Sequence, residues 1–256
     1  KRYLTNGDPY HCFCLKTTRL VKEHMGLSDD EIINPRLLRA KIYLFEKKTD
    51  NAIRLVNDVL KIDQRVAEAY FIKGMVYEFL ENAKLAASSY QTAIEMDPNF
   101  FDAYIHMGML YERLKDDRAI NYYNSAISIE PNSLEAHRNK GLHLHFNGKY
   151  IDARKSFRKV LSISPQFEEA FFNIGNTFLG QYALQGNLKS DLDSAFHYYF
   201  KAINMNPKYV QACHNLGVCY EEIGDDANAK SFYKKAIDLD NDYQPALDAI
   251  NAMDLN

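Results

Sequence analysis

Small and apolar residues return along this chain at a spacing far longer than one helical turn and far too regular for chance. Alanine stands at Ala52, Ala86, Ala119, Ala153, Ala195 and Ala229, with intervals of 34, 33, 34, 42 and 34 residues. Upstream of each comes another small residue, in the series Ala40, Gly74, Gly108, Gly141, Gly175 and Gly217. Three positions beyond these stand Tyr43, Tyr77, Tyr111, Leu144, Phe178 and Tyr220. Downstream of the alanines the chain places Val56, Tyr90, Tyr123, Phe157, Tyr199 and Tyr233, then Val59, Ala93, Ala126, Val160, Ala202 and Ala236. Offsets of three, four and seven lie on one face of a helix, so each period predicts two helices packed through small residues and aromatics. Pro98, Pro131, Pro165 and Pro207 close four of the units, where proline stops a helix and bends the chain onward.

Gly, Tyr, Ala, an aromatic and Pro at these offsets resemble the tetratricopeptide repeat over about residues 33 to 243. The resemblance implies an all-α fold, a right-handed superhelical solenoid of helix-turn-helix repeats. Six units are expected, at 33–66, 67–100, 101–133, 134–167, 168–209 and 210–243. The fifth carries an insertion around "GQYALQGNLKSDLD", expected in the turn between its helices, with the first helix running on through Tyr182. End units depart from the pattern, with Ala40 for Gly, Gln64 for Pro and Asn241 for Pro, as units that cap a stack do. The first helix is expected to open at Asn34 as N-cap with Pro35 in the first turn. Ala246, Leu247, Ile250 and Met253 recur at helical spacing, so 244–256 is expected to be a cap helix.

A chain of 256 residues, 46% hydrophobic and 25% charged, is ordinary globular material. No apolar run approaches the roughly 18 residues of a spanning helix, so no transmembrane segment is expected in this chain. A net charge of −3 gives no electrostatic case for nucleic acid or anionic lipid, which points to protein or peptide partners recognised by shape. Gly175 and Gly180 enclose four residues as in a phosphate-binding loop, but Gln181 and Tyr182 stand where that loop needs Lys and Ser or Thr. Gly175 is therefore read as a packing glycine. Cys213 and Cys219, six residues apart on one helix, are too distant to bridge. His11, Cys12, Cys14 and His24 in segment 1–32 fit no common zinc spacing, so that segment is read as packed on the first unit. No other histidines have the i, i+4 spacing of a helical metal site. Neither metal, cofactor nor catalytic residue is expected, which makes the chain a non-enzymatic protein.

Function in such a solenoid resides on an extended face lined by the first helix of each unit. The sixth position of that helix reads Leu38, Ile72, His106, Asn139, Asn173, Asn215, and Asn176 adds an amide at the ninth. A column of amides can donate to and accept from the backbone of an extended peptide. Arg138 lies beside it. In the first half, Phe45, Phe71 and Phe79 stand with Glu78 and Glu112, a setting either for a hydrophobic segment of a partner or for residues 1–32 to pack against. The two-carboxylate clamp of chaperone-binding relatives is not expected: Arg138 and Asn173 match it, but Leu142, Gln211 and Asn215 do not. The resemblance thus implies an interaction scaffold or adaptor holding a peptide in its groove. Its alternative is a bacterial envelope assembly factor, similar to six-repeat pilotin-like lipoproteins, with a lipid anchor upstream of residue 1 and a periplasm-facing location favoured over the cytoplasm.

Overall fold

The computed structural model describes residues 28–184 and 188–254. Thirteen helices follow one another, and no strand occurs among the described residues. The chain divides into two compact units, one ending at Ile129 and the other beginning at Glu130. The first holds three hairpins: α1 (Asp29–Phe45) with α2 (Thr49–Ile62), α3 (Ala67–Phe79) with α4 (Ala83–Met96), and α5 (Phe101–Arg113) with α6 (Ala119–Ile129). The second holds α7 (Leu134–Phe146) with α8 (Tyr150–Ile163), α9 (Glu168–Leu184) with α10 (Lys189–Met205), α11 (Val210–Glu222) with α12 (Asp226–Leu239), and a final helix α13 (Gln244–Asp254). Within each unit every helix packs on its neighbours in sequence, and first helices also meet: α1 touches α3, and α7 touches α9.

The glycines explain how closely the helices cross. A Cβ built on Gly74 or Gly217 would stand 2.4 Å from the ring of Tyr90 or Tyr233. Gly108 lies likewise under Tyr123, Gly141 under Phe157 and Gly175 under Tyr199. These rings are fully buried and form the centre of each hairpin. Gly180 is also a packing residue, since its Cβ would lie 2.7 Å from the Tyr150 ring on α8. Both glycines of the loop-like "GNTFLG" are thus pressed against aromatic rings.

Two kinds of turn alternate. First helices end with a left-handed residue at Lys47, Glu81, Lys115, Gly148 and Gly224. There the next N–H reaches back five residues, as from Asn82 to the Tyr77 carbonyl at 2.8 Å and from Asp116 to Tyr111 at 2.9 Å, satisfying carbonyls the helix end leaves open. Second helices end at Asp63, Asp97, Asn206 and Asp240, whose side chains accept the N–H two residues on, at 2.8 to 3.2 Å.

The first helix starts earlier than its proline suggests. Ser28 is the N-cap: its Oγ accepts from the Glu31 N–H, and Glu31 accepts from the Ser28 N–H at 2.8 Å. This reciprocal cap, with Asp29, Asp30 and Glu31 at the positive helix end, outweighs the ladder bond lost at Pro35, which with Asn34 lies inside the helix. The insertion lengthens helices: α9 and α10 have 17 residues each, against 13 for α7 and α11 and 14 for α8 and α12. His11, Cys12, Cys14 and His24, in the segment expected to pack on the first unit, lie outside the described residues.

Candidate functional site

In the first unit the first helices α1, α3 and α5 carry the residues singled out from sequence. Phe45 stands 90% exposed at the end of α1, and Phe79 is exposed at the end of α3. Phe71 is instead buried, edge-on to Phe100 at 5.1 Å and to His106 at 5.0 Å, so it belongs to the core. Glu78 lies at the centre of a polar cluster. Its Oε2 accepts from the Tyr90 hydroxyl at 2.5 Å and lies 3.4 Å from His106 Nδ1, while its Oε1 meets the Arg113 guanidinium at 2.5 Å. Burial pushes this carboxyl up, but His106, Tyr90 and Arg113 together outweigh that and hold it at about 2. Burial, and then the hydrogen bond to Glu78 and its charge, push the Tyr90 hydroxyl up, with Arg113 opposing them.

Glu112 does the same in the next hairpin, accepting from Tyr123 at 2.6 Å, and Glu221 accepts from Tyr233 at 2.7 Å. A buried tyrosine hydroxyl needs an acceptor, and each of these glutamates stands four residues beyond the packing glycine. Where the ring is Phe157, without a hydroxyl, that place is taken by His145. In the fifth unit, where it is Leu179, Tyr199 donates to Asn176 at 2.8 Å instead. Glu78 and Glu112 are therefore partners of the core, a role legible in the paired repeat positions once the hydroxyl is counted.

In the second unit the amides and Arg138 join into a polar strip. Arg138 Nε donates to Glu169 Oε1 at 2.7 Å, and its Nη1 donates to Asn139 Oδ1 at 3.3 Å. Asn173 Nδ2 reaches the same Glu169 oxygen at 3.5 Å. These bonds link α7 to α9. Asn215 Nδ2 donates to Asn176 Oδ1 at 2.9 Å, linking α9 to α11, and His214 Nδ1 lies 3.1 Å from Asn215 Oδ1. Asn139 and Asn173 are largely buried. Yet Asn139 Nδ2, Asn176 Nδ2 and Asn173 Oδ1 hold no hydrogen bond among the described residues. Glu169, His214 and Tyr199, which orient the amides, carried no mark of this in the sequence, because their roles depend on the neighbouring helix.

Among the described residues no group of three or more His, Cys, Asp or Glu could hold a metal, and no helix is long and apolar enough to cross a membrane. Cys213 and Cys219 are free and buried, and burial, with Glu222 nearby, pushes the Cys219 thiol up to about 12, far from a reactive thiolate.

Helical hairpins built on glycine-aromatic crossings, with polar side chains ordered along their first helices, define a repeat protein of the protein-interaction scaffold class. The tetratricopeptide repeat profile matches residues 67–100 and 210–243, and a further profile of the same repeat matches 89–120. These matches make the chain a tetratricopeptide repeat protein. Among solved structures, PilW, a widely conserved type IV pilus biogenesis factor, is similar at 20% identity and a TM-score of 0.69, covering 86% of this chain and 98% of that one. YrrB, a repeat protein with an unusual peptide-binding site, is similar at 25% identity and a TM-score of 0.59, covering 77% and 96%. Ferrochelatase of Idiomarina loihiensis is 62% identical over 32 residues, which are 12% of this chain and 9% of the enzyme. The human protein O-mannosyl-transferase TMTC3 is 28% identical over 131 residues, 48% of this chain and 14% of its own length. The chain thus spans a small fraction of the curated relatives it matches.

Proposed function

We propose that the chain is a non-enzymatic scaffold that holds an extended protein segment along the first-helix face of its second unit. One observation carries this reading: Asn139 Nδ2 and Asn173 Oδ1, a donor and an acceptor on adjacent helices, are held in place by Arg138 and Glu169 and have unused bonding capacity. A peptide unit offers the matching acceptor and donor whatever its side chains. Asn176 Nδ2 extends the same face toward α11. The peptide-binding site named for YrrB supports this use of the fold. Ferrochelatase chemistry does not enter the proposal, since the match covers about a tenth of that enzyme. An envelope-assembly role and an upstream lipid anchor rest on the sequence resemblance alone, because likeness to PilW at 20% identity carries only the fold.

The test uses peptides selected by phage display on the immobilised chain. Asn139→Ala and Asn173→Ala each remove about one bond formed in the complex, worth roughly 0.5–1.5 kcal/mol, so the double variant binds about 10- to 100-fold more weakly by calorimetry. Asn215→Ala, which breaks bonds to Asn176 and Tyr199, lowers the melting temperature instead. Unchanged affinity in a folded double variant overturns the proposal.

A further inference from the structure

A cleft in the second unit lies where α11 ends, α12 begins and the last turn of α13 comes alongside. It encloses about 380 Å³ and is lined by Glu221, Asp226, Ala227, Lys230 and Met253, room for one ligand group. Tyr233 pins one Glu221 oxygen, Oε2, at 2.7 Å, and Oε1 holds no hydrogen bond among the described residues. Asp226 is exposed and holds neither hydrogen bond nor ion pair there. It sits in the first turn of α12, where the helix end favours its negative charge. Lys230 is the lining cation, and its ammonium is already bound by Asp254 at 2.6 Å. Around the cleft stand two more carboxylates, Glu222 beside Tyr182 and Asp225 bound by Asn228. Lys234 acts on Asp254, and Lys235 lies toward Cys213 instead. The two lining carboxylates are thus left without a cation.

The first unit contains the same cleft with its cation in place. That cleft also encloses about 380 Å³, and Glu78, Glu81, Ala83, Leu110 and Arg113 are among its walls. Ala83 and Leu110 stand 5 and 32 residues beyond Glu78, as Asp226 and Met253 stand beyond Glu221, so both clefts are built from the same repeat positions. Each also has a second carboxylate, Glu81 in one and Asp226 in the other. Glu78, like Glu221, accepts from a buried tyrosine through Oε2, and its Oε1 meets the Arg113 guanidinium at 2.5 Å. In sequence the place of Arg113, 35 residues on, falls in the second unit to the uncharged Asn256, which lies outside the described residues.

We propose that the cleft of the second unit takes an arginine side chain of a partner protein. Its guanidinium seats on Glu221 Oε1 and Asp226, as that of Arg113 seats on Glu78, and its stem lies over Met253 and Ala227. A planar fork of N–H donors meets two carboxylates better than a single ammonium does, which selects arginine over lysine. This site is separate from the amide strip and reads a side chain where the strip reads backbone.

The probe that tests this is Nα-acetyl-arginine N-methylamide, added to the full chain while the Met253 methyl signal is followed by NMR. The signal should shift saturably, and less as salt rises. The citrulline analogue, of the same shape without the charge, should leave it in place. Glu221→Gln with Asp226→Asn should weaken binding by roughly tenfold or more. Glutamine keeps an acceptor for Tyr233, so the melting curve of that variant should hold. Asn139→Ala with Asn173→Ala should leave the shift intact, so that failure of this site and failure of the strip are told apart. Four outcomes overturn the proposal: no saturable shift at Met253, an equal shift with citrulline, unchanged affinity in the Glu221 and Asp226 variant, or a shift lost with Asn139 and Asn173.

Discussion

Glu78 shows how one side chain can be misjudged from its position and still be understood from its neighbours. It sits at a position that the sequence pattern expects to line the groove, yet it is turned to Tyr90, His106 and Arg113. Its carboxyl is held near 2, below the ordinary 4.5. A depressed carboxyl contributes stability that is present above its unfolded value and lost as pH falls through 4.5 toward 2. Discounted for solvent around the exposed Arg113, that contribution is roughly 1–3 kcal/mol. Urea midpoints at pH 7 and pH 3 should therefore fall more for the native chain than for Glu78→Gln, and equal falls would show the cluster to be inconsequential. The sequence hid this because position alone does not say where a side chain turns. The compensating pattern of Tyr90, Tyr123 and Tyr233 with Glu78, Glu112 and Glu221, against Phe157 with His145, was present in the residues and is physical: an acceptor is kept where a hydroxyl is buried.

At the scale of elements, the crossing helices were the most legible feature, since glycine and aromatic at fixed offsets leave little choice of packing. Helix ends were less so. Proline at residue 35 suggested a start that the Ser28 and Glu31 cap overrides. The 42-residue interval marked an insertion, but not that it would lengthen both helices around a buried charge. Arg154 of α8 is buried, stacks 4.3 Å from the Phe178 ring centre, and donates from Nη2 to Gln181 Oε1 at 2.7 Å. Gln181 passes the interaction on, donating to Asp191 on α10. Both partners sit on the added turns, so the insertion neutralises a cation that the regular repeat would leave exposed or unpaired. Asp191→Ala leaves that cation without a counter-charge and should cost roughly 3 kcal/mol in chemical denaturation. Adding Arg154→Met should recover most of it; if the double variant is as unstable as the single, Asp191 acts by another route.

For the molecule as a whole, the period gave the fold but concealed its division. The break between the two compact units falls at the turn of Glu130 and Pro131, in sequence one of four equivalent proline turns. Contacts, not composition, set it apart. Within the second unit each helix packs mainly on its neighbours in the chain, so a local lesion should remain local. Gly217→Leu is a suitable lesion, because the Tyr233 ring already lies 2.4 Å from where a Cβ would stand. Overpacking that crossing should cost roughly 1–3 kcal/mol. Native-state hydrogen exchange should then quicken in α10 to α13, whose core cluster contains Tyr199, Leu216, Tyr233 and Ala246, while α7 and α8 keep their protection. Equal loss throughout the unit would mean that these hairpins fold as one cooperative body. In that case a partner held by Asn139 and Asn173 would feel changes made as far away as α12, and substitutions at the two ends of the strip would couple when binding is measured.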